Sequence, residues 1–117
     1  MEISHTISRG VIVVTPTGWL DTAASDEFLQ YCTGLPHAPV ILDISGLSYI
    51  SSTGIRALLQ FGKGQRLQGA DVVIVGSQGF VHSVLYMSGM DQVFLMYPSV
   101  ADAIQVIAKP AGRQPGA

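Results

Sequence analysis

Cysteine is almost absent. Cys32 stands alone among 117 residues, so no intrachain disulfide can form and no thiolate metal cluster is available. Basic residues are scarce too: six Lys and Arg against eight Asp and Glu leave a net charge of −2. They are scattered, with no patch of the kind a phosphate backbone requires, which argues against nucleic acid as a partner. His5, His37 and His82 lie far apart with no paired-ligand spacing, and read as ordinary surface or core residues. No apolar run approaches the roughly 18–20 residues that cross a bilayer. The start, Met1-Glu2-Ile3-Ser4-His5, lacks the basic flank and apolar stretch of a secretory signal. These absences predict a cytoplasmic chain with no cofactor, no metal and no membrane insertion.

What is present is core-forming. Hydrophobic residues make up 48% and charged residues 12%, a composition that folds rather than stays disordered, at a length expected of one domain. Residues 3–7 and 11–15 read as two strands joined at Arg9-Gly10, with Val11-Ile12-Val13-Val14-Thr15 β-branched throughout. Pro16, Thr17 and Gly18 are expected to interrupt. Asp21 or Thr22 can cap a helix to about Cys32, with Ala24, Phe28 and Cys32 on one face. Pro36 and Pro39 keep the next stretch a loop. Val40 to Ile44 and Val72 to Val75 are short apolar runs of the kind buried on both faces of a sheet.

Between those runs, after a linker, Thr53 to about Leu67 reads as a helix with Ile55, Leu58, Leu59 and Gly62 inward and Arg56, Gln60 and Lys63 outward. Gly69 stops it. A helix from about Gly79 to Ser88, a short strand at 93–96 and a last helix capped by Ser99 complete the order. Residues 1–109 form the expected domain, and 110–117 a disordered tail. The expected fold is α/β: a mixed sheet of four to five strands, opened by an antiparallel hairpin and packed against about four helices.

The most informative stretch runs from Asp43 to Leu59, where a buried strand hands over to an amphipathic helix through Ser51-Ser52-Thr53-Gly54. Hydroxyl residues there serve as N-caps for the orphan amides of the first turn. The same helix end also favours anions, so a phosphate on Ser52 would be held there, with Arg56 one turn on at i+4. Other stretches weigh less. Gly76-Ser77-Gln78-Gly79 follows a strand and opens a helix but lacks the third spaced glycine and the lysine of a nucleotide loop. Gly62-Lys63-Gly64 falls inside a helix. Asp21 and Asp43 sit at element boundaries, where Asp caps or bonds backbone rather than forming a catalytic pair. Met87, Met90, Met96 and Tyr97 read as core filling. His82 beside Ser83 makes no catalytic group.

The segment resembles the signature of STAS domains, the family that includes bacterial anti-sigma factor antagonists. Asp43-Ile44-Ser45, Tyr49-Ile50, Ser52-Thr53-Gly54 and Leu58-Leu59 match it. Trp19-Leu20-Asp21 resembles the family's step into the first helix, and Gly76–Gly89 and Tyr97–Ala103 resemble its last third. The resemblance implies a non-enzymatic partner-switching role. The unphosphorylated protein would bind an anti-sigma factor that is also a serine kinase, releasing sigma factor. Phosphorylation would end that binding, and a PP2C-type phosphatase would reverse it. The matching acceptor is Ser52, with Ser51 and Thr53 as lesser alternatives. Ser51, Ser52, Thr53, Gly54 and Arg56 would form the partner-binding face. One departure stands out: Ser51 occupies the place of the family's usual Asp. The alternative role is a STAS-type binding subunit of a lipid-transport or sensory complex without phosphorylation.

Overall fold

Arg9 and Gly10 take φ of 56° and 79°, the left-handed pair of a two-residue turn whose twist suits strands on either side. The turn joins β1 (Glu2–Ser8) to β2 (Val11–Leu20) in an unbroken antiparallel ladder from Ser8↔Val11 to Glu2↔Thr17. The computed structural model describes residues 1–107. The expected tail at 110–117 lies outside the described residues.

β2 runs on to Leu20, beyond the expected end at Thr15. Pairing with β1 carries it through Thr17, and a change of neighbour on the other side carries it further. Ile12 to Val14 pair in parallel with β3 (Val40–Asp43), whereas Gly18 to Leu20 pair with β4 (Leu47–Ile50). Pro16 falls in the gap, where no strand on that side needs an N–H, so a proline is tolerated mid-strand. β4 itself lies where the sequence reading had only a linker. β5 (Val72–Val75) and β6 (Leu95–Tyr97) follow in parallel, giving the order β1-β2-β3-β5-β6 with β4 beside β2. The sheet has six strands, one more than the upper expectation, because β4 was unforeseen.

Alternate residues of the central strands feed two cores. Ile12, Val14, Val40, Leu42 and Ile74 pack under α1 (Thr22–Thr33), α2 (Ser52–Leu67) and α3 (Gly79–Met87). Val11, Val13, Ile41, Val73 and Val75 face Ala103 and Ile107 of α4 (Val100–Ile107). Both faces of these strands are therefore covered, which is why they read as continuous apolar runs. Asp21 caps α1, its Oδ1 accepting the Ala24 amide at 3.0 Å, and Ala24, Phe28 and Cys32 are buried as their spacing predicts. Burial pushes the Cys32 thiol up to about 12.

α2 buries Gly54, Ala57, Leu58, Phe61 and Gly62. That stripe of i, i+3, i+4, i+7 and i+8 leaves Leu59, expected inward, 37% exposed. Met90 is buried and Met96 and Tyr97 are half-buried, but Met87 is 85% exposed and fills no core. It is the last residue of α3, on the face turned from the buried Val81 and Leu85. The expected strand at 93–96 is shifted by a single 3₁₀ turn at Met90–Gln92, after which Phe94 is buried and β6 begins.

Candidate functional site

β4 ends at Ile50, and the chain turns into α2 within one residue. The Ser51 amide donates to the Leu20 carbonyl at the end of β2 (3.1 Å), and Ser51 Oγ accepts the Gly54 amide (3.1 Å). Ser51 is therefore the N-cap, and α2 begins at Ser52, one residue before the expected start. The first helical bond, Ile55 N–H to Ser51 C=O at 2.9 Å, leaves the Ser52 and Thr53 amides without intrahelical partners at the positive end of the helix.

The three adjacent hydroxyls thus have different duties. Ser51 Oγ is committed to the cap. Thr53 Oγ1 lies 2.8 Å from Thr22 Oγ1, tying the start of α2 to the start of α1. Ser52 is exposed, and Arg56, one turn along α2, is exposed as well. Gly54 is buried, so its contribution to the expected face is to set the position of the helix rather than to present a surface. A Cβ at Gly54 would press into the Leu20 carbonyl oxygen and approach Ile50 Cγ1 to 2.9 Å. Only glycine lets α2 sit this close to β2. Ser51 does the capping that an Asp would do equally well, but brings no charge.

Beside this helix end lies a row of aromatic rings that the sequence reading missed. Trp19 is 60% exposed and tilts against Tyr49 at 5.3 Å; Tyr49 stacks on Phe80 at 5.7 Å with planes 5° apart, and Phe80 is 55% exposed. The three belong to β2, β4 and α3. Without β4 in view, nothing in the linear order connects them.

The remaining candidates have duties of their own. Asp43 accepts hydrogen bonds from the Ser45 amide (3.1 Å) and Ser45 Oγ (2.8 Å), and Asp21 caps α1, so each carboxylate has a local duty. His82 turns to Ser77 rather than Ser83, with Nδ1 2.7 Å from Ser77 Oγ. Among the described residues, no group of three or more His, Cys, Asp or Glu is placed to hold a metal ion. No helix among them is long and apolar enough to cross a membrane. A cleft between α1 and α2 is lined by Leu29, Cys32, Leu35, His37, Phe61 and Gln65, toward the far end of α2 from Ser52.

The family model of the STAS domain matches residues 2–103. The chain belongs to the STAS domain family. STAS folds of known structure superimpose on it closely. An anti-sigma factor antagonist from Mycobacterium paratuberculosis aligns with TM-score 0.83 and 19% identity over 92% of this chain and 94% of that one. The anti-sigma factor antagonist SpoIIAA in its unphosphorylated form aligns at 0.74 and 16% identity, over 93% of this chain and 99% of that one. The murine anion transporter Slc26a9 aligns at 0.71 and 27% identity, over 82% of this STAS domain but only 17% of the transporter. No curated protein matches the sequence.

Proposed function

We propose that this STAS domain is an anti-sigma factor antagonist that works by partner switching, in the cytoplasm and without catalysis of its own. In the unphosphorylated state it binds an anti-sigma factor that is also a serine kinase, and so releases sigma factor. Phosphorylation of Ser52 breaks that contact, and a PP2C-type phosphatase restores it. The observation that carries this reading is the division of labour at the start of α2. Ser51 and Thr53 are held in hydrogen bonds, while Ser52 is exposed, which supports it as the acceptor.

The physics of the switch is charge. A phosphoryl group adds about −1.5 to −2 at neutral pH. The free amides of the first turn stabilise it on the isolated domain. In a complex, the same charge must be stripped of water against a flush surface. A desolvation cost of about 3 kcal/mol weakens association about a hundredfold. The test is incubation with the cognate kinase and ATP, followed by phosphosite mapping. One phosphate on Ser52, lost in Ser52→Ala, is the expected result. Modification elsewhere, or none, overturns the assignment.

A second reading is kept because of the likeness to the transporter's domain: a STAS subunit that docks within a transport complex and is never phosphorylated. A neighbouring gene for a serine kinase or PP2C phosphatase supports antagonism; genes for transporter subunits support the alternative.

A further inference from the structure

The two edges of the sheet are built differently. β6 is three residues long and is followed at once by Pro98, two devices that keep an edge from pairing with another chain. β1 has neither. It is seven residues long, unbulged, free of lysine and proline, and charged only at Glu2. Ser4, His5, Thr6 and Ile7 are all exposed, Ile7 by 61%. No described strand lies on its outer side.

The direction of its backbone groups follows from one residue. Pro16 faces Ile3 and has no N–H to give, so Ile3↔Pro16 is a non-hydrogen-bonded pair. By alternation, Val14↔His5 and Ile12↔Ile7 are also non-hydrogen-bonded. The amides and carbonyls of Ile3, His5 and Ile7 therefore point away from β2, toward the open edge.

We infer that β1 pairs antiparallel with β1 of a second copy, about a two-fold axis at His5, making one continuous sheet across a symmetric dimer. The strand is complementary to itself in that register. His5 faces His5, Ile3 faces Ile7 twice, and each of these three pairs exchanges two backbone hydrogen bonds. The exposed Ile7 is covered by Ile3 of the second copy. Glu2 faces Ser8 of the second copy at both ends, so no like charges are set opposite each other. Registers centred elsewhere pair fewer residues of the strand. The two-fold makes the contact isologous, so the pair closes on itself. The inference is independent of the phosphorylation reading, since it concerns a different surface and needs no kinase.

Two experiments test it. Sedimentation of the chain, with any affinity tag kept away from β1, is expected to show the mass doubling as concentration rises toward about 1 mM. His5→Pro removes an outward amide without touching the β1–β2 ladder, and is expected to leave the circular dichroism native and the chain monomeric. A monomer across the whole range for the parent chain, or a dimer that survives His5→Pro, overturns the proposal. Cysteine trapping adds a readout that does not depend on that variant folding. Paired residues across an antiparallel ladder lie within disulfide reach, and the buried Cys32 stays out of the reaction. His5→Cys is expected to cross-link at least tenfold faster than Thr6→Cys, whose counterpart in this register is Ser4. Equal rates overturn it.

Discussion

Ser51 caps α2, Gly54 sets its approach to β2 and Ser52 is the proposed acceptor, so substitutions at each should have separable effects. Ser52→Asp places a carboxylate at the positive end of α2. It should leave stability unchanged or raise it by about 0.5 kcal/mol while weakening partner binding about a hundredfold; denaturant unfolding and titration calorimetry read the two effects apart. Ser51→Ala removes the cap and should cost about 1 kcal/mol, whereas Ser51→Asp, which restores the residue usual in the family, should keep the full stability. Gly54→Ala should cost about 2–3 kcal/mol or more, because its methyl group meets the Leu20 carbonyl rather than a side chain that could swing aside.

At the scale of elements, the helices and the buried strands were legible because each had a period to follow. Ala24, Phe28 and Cys32 mark the inner face of α1, and the apolar runs at 40–43 and 72–75 announce strands covered on both sides. Two elements escaped for one reason. The end of β2 and the whole of β4 exist because of each other: past Thr17, where the pairing with β1 stops, β2 is a strand only while β4 lies beside it. Propensity along the chain cannot reveal a pairing between distant segments, and Pro16 and Gly18 argue locally against one. The same blindness hid the aromatic row, whose members come from three elements. The candidate hydroxyls were legible as a group; which of them is free was not, since that depends on the Leu20 carbonyl and on Thr22. Within α2 the stripe makes a test. Leu58→Ala should cost about 2–5 kcal/mol, and its neighbour Leu59→Ala well under half of that, measured as shifts in the urea midpoint.

For the molecule as a whole, Cys32 offers an internal gauge of unfolding. The fold holds its thiol protonated up to about 12, while in the unfolded chain it ionises near 9.0. Its contribution is therefore complete below pH 9 and is lost as pH rises from 9 toward 12, at about 1.4 kcal/mol per pH unit. At pH 8, alkylation of the native chain should be slow and should accelerate sharply through the denaturant transition, in step with loss of circular dichroism. β2, bonded to β1, β3 and β4, ties the parts into that one transition. It also limits what the proposed phosphorylation of Ser52 would do. With Gly54 packed closely against the end of β2, the start of α2 has no room to move inward. Marked and unmarked molecules would superimpose, and the message would travel without motion: a reader sensitive only to shape would miss it, and discrimination would have to happen at the moment of touch.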